Sequence, residues 1–356
     1  MINKKLCHAC SGLGTASVFI PSIETNLKKE MSIKIIKGGL LSILVDKGRP
    51  GFRHLGIGPS GAMDSFAMTI ANYLVGNEER AATLEMNFPA PEILFQETQL
   101  ICVTGRGLKI YLDDELTSPW KPSVVKKGSI LKFERAETGS RAYLSVHGGW
   151  KSEEWLGSFS TSLGVKAGGY SGRALQKDDV LEVNARGHLT SPAKSLPWEI
   201  SKNELDKIYK HGEIRIIASV ETDWLSQEAK GKLSSSAFRI TPQSNRMGYR
   251  LEGEKLSLHQ AIEMVSSPVD FGTVQLLPDG NLIILVADHQ TTGGYPRIAS
   301  VIKSDLPALA QMNPNDKIKF RLISQHEAER EWKAREKLLT ELKQICMEQY
   351  KNYFNV

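Results

Sequence analysis

The sequence predicts a mainly β protein made of two related β-rich units and closed by a C-terminal amphipathic helix. Three observations carry that prediction. Short alternating apolar runs between turn signals dominate residues 84–183, as in Gln99–Val103, Leu108–Leu112, Ser129–Phe133 and Arg141–Val146, with few helical periods among them. A tight turn before a short alternating strand recurs at 127–133, 177–183 and 315–320. Pro192, Pro197 and polar neighbours make Ser191–Leu205 read as a linker, giving a first unit over 31–195 and a second over 205–324. A chain of 356 residues is long for one domain and suits about two.

Residues 1–30 lack this patterning. Lys4-Lys5 precedes a weakly apolar stretch to Ile20, but His8, Ser11, Gly12 and Gly14 interrupt it and no cleavage site follows, which argues against a signal peptide. They are expected to be a disordered extension. Cys7 and Cys10 have the spacing of a zinc half-site with no second pair, and Cys102 lies in an apolar run, so no metal-ligand set is expected. Four cysteines so placed, with Cys346, suit a reducing compartment such as the cytoplasm. Apolar residues at 41% and charged residues at 24% describe an ordinary globular protein. A net charge of +5, dispersed along the chain, gives no footprint for nucleic acid.

From Met31 the order of elements is legible. Ile33–Val45 reads as two strands broken at Gly38-Gly39. Residues 46–64 then hold five glycines with Arg49, Arg53 and His54. Glycines that turn N–H groups inward and forked arginine donors suit a carboxylate or phosphate, although a long loop closing a barrel would look the same. Neither a P-loop nor a dinucleotide fingerprint is present. Asp64 is placed to cap a helix over Ser65–Val75, whose Phe66, Ile70 and Leu74 form one face and whose stop is Gly76. Ser158–Ser162 carries four hydroxyls in five residues, as a pocket lining or a mobile loop would.

The second unit opens with the apolar strand Ile214–Val220. Arg246 and Arg250 flank Gly248, close to Ser244 and Asn245. Two such arginines can clamp a planar carboxylate or phosphate, or they can form structural salt bridges to Glu252 or Glu254. Leu282–Ala287 reads as a strand buried on both faces. It ends in Asp288, Gln290, Thr291 and Thr292 before Gly293-Gly294, polar groups delivered to a sheet rim where bare backbone can approach a ligand. Residues 325–351 form a charge-neutral amphipathic helix, with Glu329–Lys333 and Glu331–Arg335 as i, i+4 pairs, that could dock on the barrel or on a partner but does not suit a membrane.

Five runs, in order, carry a specific resemblance: G-R-P-G-F-R-H-L-G-I-G-P-S-G-A-M-D, N-Y-L-V-G-N, L-G-S-F-S-T, T-P-Q-S-N-R-M-G-Y-R-L-E-G and D-H-Q-T-T-G-G-Y-P. Together they resemble the biotin-dependent carboxyltransferase family, also called allophanate hydrolase subunit 2, over about 32–323. Val45 stands where the family usually has Gln, and His289 where Arg is common. The resemblance implies two cyclophilin-like β-barrel subdomains and an obligate partner, the B component, with the active site formed between the two. In the 5-oxoprolinase members an A component joins, and the small amide substrate 5-oxoproline is opened to L-glutamate at the expense of ATP.

On that basis Arg246 and Arg250 are expected to hold a substrate carboxylate or acyl phosphate, and Asp288 and Gln290 to orient the amide. Thr291, Thr292, Gly293 and Gly294 would meet the developing anion, with Arg49, Asp64, Ser244 and Tyr295 completing the substrate site. ATP belongs to the assembled complex. Biotin requires a separate carrier, because this chain has no A-M-K-M-type sequence. Two other readings follow from the same resemblance: carboxyl transfer to a urea-like substrate, and a regulatory module that antagonises a histidine-kinase inhibitor.

Overall fold

The structure, a computed structural model, describes residues 32–184, 195–209, 212–260 and 264–354. The expected N-terminal extension therefore lies outside the described residues, as do Cys7 and Cys10. Each expected strand of the first unit is present, and all its pairings within the two sheets are antiparallel. One sheet runs Val180–Glu182, Ser32–Lys37, Glu92–Phe95, Ile130–Arg135, Leu108–Leu112, Glu115–Thr117. The other runs Ser42–Val45, Thr83–Asn87, Arg141–Val146, Gln99–Gly105, Ser123–Val125. Both contribute to one core, where Ile33, Phe95 and Leu131 meet Leu84, Val103 and Leu144.

The five-stranded sheet is buried on its second face as well. Ile101 and Val103 point into the sheet-to-sheet core, while Leu100, Cys102 and Tyr143 alternate outward against helix α1, Ser65–Leu74. Asp64 caps that helix, accepting from the Ala67 amide at 2.9 Å, and Phe66, Ile70 and Leu74 form its apolar face as expected. Asn72 is fully buried, donating to the Ala81 carbonyl at 2.8 Å and accepting from Ser145.

The linker expectation is corrected for residues 195–209. Leu196, Trp198 and Ile200 are buried at every second position, Trp198 donates to the Leu74 carbonyl, and helix α2 (Lys202–Ile208) follows. The period-2 apolar pattern outweighs the single Pro197 as a signal. The segment packs on the first unit through Tyr209, Phe66 and Trp120.

The second unit is a closed barrel of seven strands. Around the ring these are Glu213–Ala218, Arg297–Val301, Thr273–Leu276, Leu282–Leu285, Gly248–Glu252, Ala237–Ile240 and Lys317–Leu322. Closure comes from the last strand running parallel to the first, and a closed ring leaves no edge. Leu282 and Ile284 fill the barrel, whereas Ile283 is only half-buried, so this strand is not shielded equally on both faces. Helices α3 (Gln227–Ser235) and α4 (Leu306–Ala310) accompany the barrel.

Helix α5, Gln325–Phe354, docks on the protein itself. Leu338, Leu339, Leu342 and Cys346 pack beside α1, and Tyr350 and Tyr353 lie against His147 and Trp198. Its N-terminal half reaches the barrel, where Arg215 donates to Asp305 and, at 2.8 Å, to Glu331. Glu331 is thus engaged across the fold, while the Arg335 guanidinium sits over the Phe66 ring.

Candidate functional site

The two glycine-bearing loops expected to carry chemistry meet at the seam between the units. In the first, Asp46 is a hub: it accepts from the Gly48 amide at 2.8 Å, the Ser158 hydroxyl at 2.6 Å, the Ser160 hydroxyl and the Phe159 amide. The serine-rich stretch is therefore neither a mobile loop nor a pocket lining. Ser158, Ser160 and Thr161 are fully buried and hold the loop in place. At Gly48, φ is +83° and an added Cβ would lie 2.5 Å from the Pro59 carbonyl oxygen, so only glycine fits.

Arg49 is drawn inward by this turn. Its side chain is buried, lies 4.8 Å over the Trp155 ring and donates to the Ser160 carbonyl, while Nε and Nη1 have no hydrogen-bond partner among the described residues. Burial pulls its pKa down against the opposing charges of Asp46 and Asp288. Two buried guanidinium donors without acceptors are unusual and mark Arg49 as a ligand-binding candidate.

Arg246 lies at the centre of the seam. It donates to Glu85, to the Gly61 carbonyl at 2.6 Å and to Asp288 at 2.7 Å. Glu85 also accepts from the Tyr143 hydroxyl and the Met63 amide, and Asp288 accepts from the Ser60 hydroxyl at 2.7 Å. Burial works against the Arg246 charge, but Glu85 and Asp288 outweigh it and hold the pKa above its ordinary value. One guanidinium thus joins a strand of the first unit to a loop of the second. Asp288 retains partial exposure, with its side chain at 22%. The backbone of the first loop presses on the next residue: a Cβ on Gly58 would lie 2.9 Å from the His289 carbonyl oxygen. His289 is itself buried, its Nε2 has no partner among the described residues, and burial lowers its pKa.

A model of the carboxyltransferase domain, subdomains A and B, matches residues 55–322. The chain belongs to the carboxyltransferase-domain family. It is 38% identical over 303 residues to the C component of 5-oxoprolinase from Haemophilus influenzae, covering 85% of this chain and 95% of that protein. It is 35% identical to the C component of 5-oxoprolinase from Escherichia coli, covering 83% and 93%. Urea amidolyase of K. lactis has a similar solved structure, with a TM-score of 0.78 and 27% identity over 88% of this chain; the match spans only 20% of that longer chain.

Within this carboxyltransferase domain, the expected site residues do not all gather. Arg246 and Asp288 meet, with Arg49 close enough to feel the Asp288 charge. Arg250 is exposed on the outer face of the barrel strand, where its backbone pairs with Ile283, so the expected clamp of two arginines does not form. The physical reason is strand alternation, which sends Arg250 and Glu252 outward and Tyr249 and Leu251 inward. Glu252 instead pairs with Arg239, and Glu254 with Lys232. Ser244 serves the turn, accepting from the Arg250 amide at 3.0 Å. Gln290, Thr292, Gly294 and Tyr295 are exposed at the rim, while Thr292-Gly293 pairs with Ser267-Pro268 and the Thr291 carbonyl accepts from Val269.

Asp64 is sealed inside rather than offered to a substrate. It accepts from Ala67, from the Tyr209 hydroxyl at 2.9 Å and from Gln311 at 2.8 Å, yet burial raises its pKa to about 6. The folded value lies above the ordinary 3.8, so the folded state binds the extra proton between those values. Stability attributable to this group is greatest at the acid end and falls as pH rises through that window, by about 3 kcal/mol in the limit. Asp64→Asn, which keeps a capping oxygen, is expected to flatten that fall. Denaturation midpoints between pH 4 and 7 that run parallel for the two proteins would disprove it.

Glu85 and Ser60 escaped the sequence reading. The only signal for Glu85 is a carboxylate in the otherwise apolar T-L-E-M run, which a buried strand tolerates only with a partner. Among the described residues no group of three or more His, Cys, Asp or Glu is arranged to hold a metal, and no helix is long and apolar enough to cross a membrane.

Proposed function

We propose that this chain is the C component of an ATP-dependent 5-oxoprolinase, opening 5-oxoproline to L-glutamate together with the A and B components in the cytoplasm. The observation that carries this reading is the identity of 35–38% to two bacterial proteins of that name, over 93–95% of their length. Opening the lactam breaks its C–N bond, adds water across it and develops negative charge on the carbonyl oxygen. Asp288, fixed by Arg246 and Ser60, is the group that accepts a hydrogen bond from the lactam N–H. The unpaired Arg49 donors and the Thr291–Gly294 rim supply contacts to the developing anion. ATP enters through the assembled complex, and we assign no residue of this chain to it or to biotin.

Carboxyl transfer to a urea-like substrate is the second reading, favoured by the likeness to urea amidolyase. The two separate on one experiment. ATP-dependent glutamate formation from 5-oxoproline is measured with this chain purified alone, with the A and B components added, and with this chain omitted. Turnover only in the full set supports the first reading; turnover that survives omission refutes it.

A further inference from the structure

A cleft of about 600 Å³ opens at the seam beside the loop junction that holds Asp288, which is not in its lining. Arg135, Ser140 and Arg141 line it from the first unit and Asn245, Arg246 and Tyr249 from the second. We propose that this cleft binds an oxyanion, a carboxylate or a phosphate group.

The argument rests on an excess of donors. Three guanidinium-bearing residues line the cleft and no carboxylate residue does. Glu85 and Asp288, the acids that answer Arg246, are both absent from the lining. Arg135 has no acidic partner among the described residues and is exposed at the end of its strand. The Tyr249 hydroxyl accepts from Arg141 at 2.8 Å, so its own proton must be given elsewhere, and no described residue takes it. Ser140 accepts from the same arginine at 3.3 Å and is likewise left with a proton to give. Asn245 spends its oxygen on the Met247 amide at 2.8 Å, leaving its NH₂ group available. The Asn87 and Asn313 amide groups give their protons to the Ser140 and Gly139 carbonyls and keep oxygens in the lining. The cleft nevertheless holds no carboxylate, and Arg135, Tyr249, Ser140 and Asn245 each keep a proton to give, as an oxyanion requires.

The cleft is also preorganised. Arg141 is buried and tied to Tyr249 and to the Ala310 carbonyl, so its position does not have to be ordered on binding. Its Nε has no hydrogen-bond partner among the described residues and lies 3.8 Å from the same Glu85 oxygen that Arg246 grips. Arg246 both lines the cleft and holds Asp288, so an anion in the cleft shares that arginine with the Arg246–Asp288 pair. This inference goes beyond the 5-oxoprolinase reading and is tested on the chain alone, so either can fail without the other.

The test is isothermal titration of the full chain at fixed ionic strength with pyrophosphate and, separately, with glutarate. One saturable site for at least one probe is expected, weakened tenfold or more in Arg135→Ala and in Tyr249→Phe, which removes a single oxygen. Lys109→Ala, in a separate groove beside Trp120, is expected to leave binding within twofold. Saturation by pyrophosphate alone assigns the cleft to a phosphate group, and saturation by glutarate alone to a carboxylate. Absence of a saturable site for both probes overturns the proposal, as does binding that Arg135→Ala and Tyr249→Phe leave unchanged.

Discussion

Arg246→Ala is expected to cost about 3–5 kcal/mol of folding stability, because it strands Glu85 as a buried carboxylate. Glu85 is 1% exposed and would keep only the Tyr143 hydroxyl, the Met63 amide and the more distant Arg141. The same substitution releases the Gly61 carbonyl and leaves Asp288 with the Ser60 hydroxyl, so the seam loses the contacts that Arg246 makes to Glu85 and Gly61. Urea denaturation measures the first effect. Arg246→Lys separates charge from geometry: a point charge can answer Glu85 but cannot hold Glu85, Gly61 and Asp288 together. A loss under 1 kcal/mol in Arg246→Ala would show that the buried network is not what holds the seam.

Asp288→Ala is expected to act on turnover instead. Asp288 is partly exposed and forms one side of a network that keeps Arg246 anchored to Glu85 without it. The folded protein should survive with a melting temperature within a few degrees. On the role proposed for Asp288, its loss should lower kcat of the assembled complex about 10²-fold or more. Single-turnover glutamate formation by the reconstituted complex is the measurement. Unchanged kcat with a stable fold would remove Asp288 from the reaction and leave it a structural partner of Arg246.

The contrast between Arg246 and Arg250 shows where sequence reasoning stops. The two are close in the chain, and nothing in a one-dimensional pattern says that the first turns into the seam while the second follows the outward face of a strand. Barrel register decides it, because Arg250 lies opposite Ile283 and alternates with buried Tyr249 and Leu251. The serine cluster at 158–162 teaches the same lesson in reverse. Its hydroxyls looked available for a ligand, but Asp46, more than a hundred residues earlier, consumes Ser158 and Ser160.

By itself the sequence determined the local elements and the family. Strand alternation, the Asp64 cap, the Gly76 stop and the amphipathic C-terminal helix depend on neighbours within a turn or two, and these appear in the structure where the pattern puts them. Tertiary structure alone decided which polar groups meet. Glu85 finds Arg246 across 161 residues and Ser60 finds Asp288 across 228, separations at which no periodicity survives. Burial then made those meetings obligatory, since a carboxylate enclosed in a β core must have its cation.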